Sequence, residues 1–319
     1  MSSTQNSPAR KPYVHRVTPA DILLLFLAAV IVIAALAVGG ISLFGKSDAP
    51  DDDGPTLPGG EQSLKLETVA WPSDKPFTTF SVGDGSLILA GEETERTQDK
   101  LTVIYGNATQ FSYGMDQTKK MDTVALQKMN AMMQVMNTDV AFSGTLTAAT
   151  AYSTTSTILD HRTGYTVRFS VASPSVTYTF AEVVPTMGMR PDLWMAENAW
   201  KYGVIERFPA NSTYSEDGVT DTYRYVGIPH AYYIENVMPV TEEQKVQTLE
   251  DYIELVKTKT AKSPLEIKVE GTVDGENDGT YYVYYVALDQ VDSATMPKDT
   301  TIYDVSGDGS TGFIITVKK

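Results

Sequence analysis

The sequence of 319 residues has no cysteine, only three histidines and three tryptophans, and 25 lysines and arginines against 40 aspartates and glutamates. Each shortage removes a class of chemistry. Without cysteine there is no disulfide, thiolate zinc site, cysteine nucleophile or lipid-modified N-terminal cysteine. A formal net charge of -15 disfavours nucleic acid as a partner, since no basic patch is left to neutralise phosphates. No G-x-S-x-G or S-x-x-K stands in a context suited to a serine hydrolase, and no Gly-rich phosphate loop is present. No period of 20 to 50 residues recurs, which argues against repeat architectures. Any imidazole-based metal site downstream of residue 45 must draw on His161 and His230, because the third histidine is His15.

What is present reads as a folded protein behind an anchor. The hydrophobic share of 42% and charged share of 20% are ordinary for a globular chain. Residues 1–21 are polar and residues 22–44 form an uncharged apolar run, long enough to cross about 30 Å of hydrocarbon as a helix. Arg10, Lys11 and Arg16 precede that run and Asp48, Asp51, Asp52 and Asp53 follow it. The positive-inside rule then places the N-terminus in the cytoplasm and the rest outside, as a single-pass cell-membrane protein. A leader cleaved near Ala35-Leu36-Ala37 is the competing reading. Residues 45–76, which include SDAPDDDGPTLPGG, have the composition of an extended extracytoplasmic linker.

Periodicity supplies the rest. Phe77 to Val82, Ser86 to Leu89 and Leu101 to Tyr105 read as short strands. Thr123 to Asn137 is a helix whose Leu126, Met129, Met132, Met133 and Met136 share one face, a stripe best explained as adaptable core packing. Tyr165 to Ala172 alternates as a central strand should, and Ser175 to Glu182 is a further strand candidate. Asp192 is placed as the cap of a helix with Leu193, Ala196, Ala199 and Trp200 inward and Gly203 as its stop. Thr241-Glu242-Glu243-Gln244 reads as the capping box of a last helix burying Val246, Leu249, Ile253 and Val256. After Pro264 come four strand candidates: Leu265 to Val273, Tyr281 to Leu288, Thr300 to Val305 and Gly312 to Val317. Asp304 to Gly309 is a tight turn and not an EF-hand, whose twelfth position would here be Ile315.

Two stretches carry a family resemblance. Trp194, Glu197, Asn198, Ala199, Lys201, Tyr202, Gly203, Ile205, Arg207 and Pro209 match a helix pattern W-L-x-E-N-A-x-K-Y-G-F-I-x-R-Y-P, and Tyr223-Arg224-Tyr225-Val226-Gly227 with His230-Ala231 match the strand and turn that follow it. This arrangement resembles the VanY-type D-alanyl-D-alanine carboxypeptidases, zinc enzymes that trim bacterial cell-wall peptides. The resemblance implies an α+β fold in which a small antiparallel sheet is backed by helices over residues 77–260, with residues 261–319 as a β-rich C-terminal appendage. It also implies the cell surface of a Gram-positive bacterium and zinc as the cofactor of the active relatives.

At the positions that carry the family's chemistry the sequence departs. Where E-P-W-H supplies the general base and a zinc ligand stand Val219, Thr220, Asp221 and Thr222. The upstream S-x-H-x-x-G-x-A-x-D falls on Leu159 to Arg168, so His161 keeps a ligand position and Arg168 replaces the aspartate. Valine cannot take a proton, threonine offers a neutral hydroxyl, and a guanidinium has no lone pair. Tyr152 and Ser153 lie where the family's G-Y-R turn holds the substrate carboxylate. The expectation is a vestigial cleft of Tyr152, Ser153, His161, Arg168, Val219, Thr222 and Arg224 with no metal and no catalytic residue. Arg207 and Arg224 are read either as cleft residues or as structural ion-pair partners, and His161 and His230 as hydrogen-bonded structural residues. The function expected is a non-catalytic, membrane-anchored protein that binds a peptidoglycan stem peptide or scaffolds another cell-envelope protein. The alternative is an active zinc carboxypeptidase with a rearranged site.

Overall fold

The computed structural model describes residues 65–91, 94, 98–104, 113–114, 119–210, 219–238, 248–273 and 275–319. The expected membrane helix over 22–44, most of the linker and the Thr241 capping box lie outside the described residues. Among the described residues no helix is long and apolar enough to cross a membrane.

The methionine-rich segment forms helix α1, Thr123–Asp139. Asp122 starts it by accepting hydrogen bonds from the Val124 and Ala125 amides at 2.9 and 3.2 Å, which satisfies donors that the first turn leaves unpaired. Ala125, Leu126, Met129, Met132, Met133 and Met136 are all buried, the i, i+3, i+4, i+7 face of an amphipathic helix. That face packs on a sheet built from β1 (Thr145–Thr150), β2 (Thr166–Ala172), β3 (Val204–Glu206) and β4 (Thr222–Tyr225). The order runs β3-β4-β2-β1 with antiparallel neighbours, and Tyr113–Gly114 adds a short parallel edge beside β1. Val167, Phe169 and Val171 on β2 and Tyr223 on β4 point to the α1 side. Strand period two therefore turns Thr166, Arg168, Thr222 and Arg224 to the other face.

Helix α2, Pro191–Asn198, differs from expectation at both its cap and its buried side. Arg190 is the N-cap and Pro191 opens the helix, a position where proline's missing N–H costs nothing. Asp192 is held by Arg190 at 2.9 and 2.7 Å. Ala199 and Trp200 are buried as expected and Trp194 and Met195 join them, while Ala196 is exposed and Leu193 is 49% exposed. A 3-10 turn, Ala199–Tyr202, then closes on Gly203 at φ 78°, and a Cβ there would lie 2.9 Å from the Gly227 carbonyl carbon. Helix α3, Ile228–Tyr232, continues as a π turn to Val237. Helix α4, Leu249–Lys257, begins at a capping box made by Thr248 and Asp251.

The four C-terminal strand candidates form an antiparallel sheet, β5 (Leu265–Val269), β6 (Gly279–Ala287), β7 (Thr301–Gly307) and β8 (Gly312–Lys318), in the order β5-β6-β8-β7. It is not a separable appendage. Tyr281, Val283 and Ile314 on one face share a core with Ile228 and Ala231 of α3 and Leu249, Tyr252, Ile253 and Val256 of α4. The other face, with Tyr282, Tyr284, Phe313, Ile315 and Val317, is covered by Phe77 and its neighbours. The end of the expected linker belongs here too, because Thr68–Ala70 pairs with Thr295–Pro297. Phe77 to Thr79 is a 3-10 turn and not a strand. Of the other early candidates, Leu101–Val103 pairs with Lys120–Asp122, and Ser175 to Glu182 contributes only Thr177–Tyr178. The Asp304 to Gly309 segment runs into a turn organised by Asp308, which accepts from the Ser310, Thr311 and Gly312 amides at 2.8 to 3.1 Å.

Two buried polar assemblies tie these layers together. His230 on α3 is 1% exposed and shares hydrogen bonds with Tyr252 Oη of α4 at 2.6 Å and Thr316 Oγ1 of β8 at 3.1 Å. Deeper in, Asp160 accepts from Arg207 Nε at 3.0 Å and Arg224 Nη1 at 2.6 Å, and from the Thr166 hydroxyl. Arg207 continues to Glu250 of α4. Arg224, fully buried, donates its remaining hydrogens to the Ser86 carbonyl at 2.8 Å and the Ile88 carbonyl at 2.7 Å.

Removing one member of such a network leaves its partner charge buried and unpaired. Arg224→Met is expected to lower the unfolding free energy by about 3–5 kcal/mol in urea titrations, with Asp160→Asn and Arg224→Met together costing less than the sum of the two. Burial pushes the His230 imidazole down to about 3, so the unfolded chain takes up a proton that the folded chain refuses. The stability from this difference is complete above about pH 6.5 and disappears as the pH falls towards 3, by about 1.4 kcal/mol per pH unit. Between those limits the stability advantage of the wild type over His230→Gln is expected to shrink as the buffer is acidified.

Candidate functional site

A 3-10 turn, Leu159–Thr163, delivers Asp160 and His161 to the start of β2, and Gly164 at φ 76° ends it. The Thr163 hydroxyl donates to the Asp160 carbonyl at 2.8 Å and accepts from the Tyr165 amide at 3.2 Å, which fixes the turn without any ligand. His161 is fully buried. The Ser153 amide donates to the His161 carbonyl at 3.4 Å, and Tyr152 is anchored through its amide to the Lys120 carbonyl at 3.0 Å. Both side chains are half-buried.

Along β2 and β4 the ladder pairs Arg168 with Thr222 and Thr166 with Arg224. Directly opposite residues on one face have Cβ atoms about 4.5–5.5 Å apart, so Arg168 and Thr222 are side-by-side neighbours. Arg168 also lies within electrostatic reach of His161. Burial holds that imidazole below its ordinary value; the Asp160 charge and a hydrogen bond with the Thr166 backbone work in the opposite direction, and the Arg168 charge adds a smaller lowering. Sheet register thus sets Arg168 beside Thr222, two of the three positions at which the motif pattern expects metal ligands, and the Arg168 charge reaches the third, His161. Val219 is buried and lines a neighbouring cavity of about 450 Å³ with Leu159, Asp160, Arg207, Phe208 and Glu250.

Two sequence expectations change. Arg224 is not a cleft residue, since its donors are spent on Asp160 and two backbone carbonyls, whereas Arg207, held between Asp160 and Glu250, also lines the cavity beside Val219. The ion-pair reading applies to both. His230 is hydrogen-bonded as expected, whereas the His161 ring nitrogens and Thr222 Oγ1 make no well-formed hydrogen bond, the polar contact of the ring being with the Thr166 backbone. The group is also closed over, with His161 and Thr222 at 0% exposure.

An orphaned buried imidazole is what a metal ligand without its metal would look like, so the fit of zinc has to be tested at its neighbours. Zinc requires about four lone-pair donors in a tetrahedron. Arg168 has none and repels a cation, and Thr222 brings a neutral hydroxyl. Among the described residues no three His, Cys, Asp or Glu side chains are placed to hold a metal ion. The residues present do not fit zinc.

Sequence reasoning missed the hub role of Asp160 and its link through Arg207 to Glu250, residues separated by 47 and 43 positions. It also missed an acidic hollow of about 390 Å³ that contains Asp192, Glu206, Asp221 and Glu235. Tyr223, which points to the α1 side of the sheet, lines that hollow. Burial pushes the Asp221 carboxyl up to about 6. Burial, assisted by the Glu206 charge, pushes that of Glu235 up to about 7. No local motif marks these four positions.

Comparison with known proteins agrees with the geometry. No family model matches the chain. Over 126 residues it is 29% identical to a D-alanyl-D-alanine carboxypeptidase of Enterococcus faecium, a match covering 39% of this chain and 35% of that protein. The chain therefore spans about a third of the length of this curated relative. The crystal structure of the vancomycin resistance D,D-dipeptidase VanXYg in complex with a D-Ala-D-Ala phosphinate analog superposes with a TM-score of 0.52 at 13% identity, over 80% of this chain and 99% of that one. At that identity the likeness is one of fold. Over that stretch the chain is similar in sequence to a D-alanyl-D-alanine carboxypeptidase, and over most of its length it shares the fold of a D,D-dipeptidase.

Proposed function

We propose that this protein is a non-catalytic D-Ala-D-Ala carboxypeptidase-like protein of the cell envelope, held in the cell membrane by residues 22–44 with its folded part outside, where it engages peptidoglycan stem peptides. The observation that carries this reading is the pairing of Arg168 with Thr222 beside an orphaned His161. Amide hydrolysis by a zinc peptidase needs a polarised water and a base to take its proton. Here Val219 stands at the base position, and two of the three ligand positions carry a guanidinium and a hydroxyl. A D-alanine-ending peptide as ligand follows from the substrate class in the relative's name. The half-buried Tyr152 and Ser153 and the cavity beside Val219 supply a surface for contact.

The protein, purified and incubated with zinc, is expected to retain far less than one zinc per chain after desalting. It is also expected to release no alanine from a peptide ending in D-Ala-D-Ala, while co-sedimenting with isolated peptidoglycan. Stoichiometric zinc together with alanine release would overturn the reading. Failure to co-sediment, with crosslinking in cells capturing a membrane protein instead, would replace the wall ligand by a protein partner.

A further inference from the structure

We infer that the cavity beside strand β7 binds an organic ammonium group, the free amine of an amino acid or peptide, with Asp304 as its counter-charge and tyrosines along its walls. The first observation is how β7 is built. Its ladder with β8 pairs Ile302 with Val317 and Asp304 with Thr316, so Tyr303 is the extra residue of a β-bulge. A bulge on an edge strand re-aims side chains that would otherwise alternate between faces. Here the successive Tyr303 and Asp304 both line one cavity of about 630 Å³, to which Phe80, Tyr165 and Tyr225 also contribute.

The second observation is that the charges lining this cavity are matched except at Asp304. Lys100 pairs with Asp84, and Asp122 accepts from the Val124 and Ala125 amides at the start of α1. His230 is taken up by Tyr252 and Thr316. Asp304 is half-buried and forms no ion pair among the described residues. Burial raises its carboxyl, and only the Val305 amide opposes this, with no lysine, arginine or histidine acting on it. The Tyr225 hydroxyl lies within electrostatic reach of Tyr303, Asp304 and Asp122. Among the described residues it has no hydrogen-bond partner, so carboxylate and hydroxyl border one cavity without bonding to each other.

A partly desolvated carboxylate without a counter-charge attracts a cation, and a net charge of -15 draws cations towards the protein. A metal ion does not fit, because among the described residues no three His, Cys, Asp or Glu side chains are placed to hold one. An ammonium group asks for less. It has three N–H donors, which the Asp304 carboxylate and the Tyr225 oxygen can accept, and the faces of aromatic rings attract it further. The cavity is of the size that holds small organic molecules, so the body carrying the amine is accommodated with it.

This inference goes beyond the proposed function and does not depend on it. Thermal unfolding of the full-length protein is followed near pH 7 at constant ionic strength with three compounds. Nα-acetyl-lysine amide has its one amine on the side chain, alanine amide has an α-amine, and Nα-acetyl-norleucine amide has none. At least one of the two amines is expected to raise the midpoint saturably, by roughly 5–10 °C at a hundredfold excess over the dissociation constant. The tighter of the two tells a side-chain amine from a chain terminus as the source. Asp304→Asn, close to isosteric, should abolish the rise. Equal midpoints with all three compounds, or a rise that survives in Asp304→Asn, overturns the site. Should that variant fail to fold, carbodiimide coupling of the tighter amine to the wild-type protein decides. A saturable adduct at Asp304 in the peptide map supports the site, and coupling confined to other carboxylates refutes it.

Discussion

Asp160 is the charge on which the arrangement of this molecule depends. A carboxylate taken wholly out of water loses several kcal/mol of hydration, more than a single ion pair returns. Here it receives two guanidinium donors and a hydroxyl, enough to occupy most of its lone-pair positions. The arginines answer for their own burial in turn, Arg207 through Glu250 and Arg224 through two backbone carbonyls. Although burial alone would raise the Asp160 carboxyl, the Arg207 and Arg224 charges hold it well below the usual carboxylate range. The Asp160 carboxylate is thereby kept in its charged form inside the protein. It joins the turn before β2, strand β4, the segment after β3 and helix α4, elements that no single hydrophobic contact brings together.

The same network explains a local departure from the sequence pattern. Ser86 to Leu89 has the apolar run of a strand, and Leu87 and Ile88 are buried as a strand's would be. No ladder forms because its backbone groups are engaged elsewhere. Arg224 takes the Ser86 and Ile88 carbonyls, Ser306 Oγ accepts from the Leu87 amide, and the Asp308 carbonyl accepts from that of Leu89. Buried backbone groups must be matched, but the match need not come from a neighbouring strand. A guanidinium with five donors does it as well.

What the sequence could reveal follows from the range of the interactions involved. Helix α1, β2 and the C-terminal strands are set by local periodicity, and their bounds agree with the pattern to within a few residues. Helix α2 has a weaker pattern, and its inward side is chosen by tertiary contacts such as Trp194 Nε1 donating to Asp139 at 2.9 Å, which no helical repeat encodes. The motif comparison located His161, Arg168 and Thr222, because motifs preserve order along the chain. Their burial was invisible to it, as was the fate of Arg224. Arg224 stands 64 residues from Asp160 and 138 from Ser86.

The charge at the three site positions follows its own logic. The resemblance implies a divalent cation, one aspartate and two neutral imidazoles, a set that sums to one positive charge. Arg168, a neutral His161 and Thr222 also sum to one positive charge. The family's general-base glutamate corresponds to Val219, so the wider set differs by one negative charge as well. What changes is the character of the charge. A metal's positive charge has open coordination positions and lowers the pKa of a bound water, whereas a guanidinium's is spread over a plane of hydrogen-bond donors and can only hold an acceptor. A guanidinium at the aspartate position therefore takes away the means of polarising a water, whatever the surrounding fold retains.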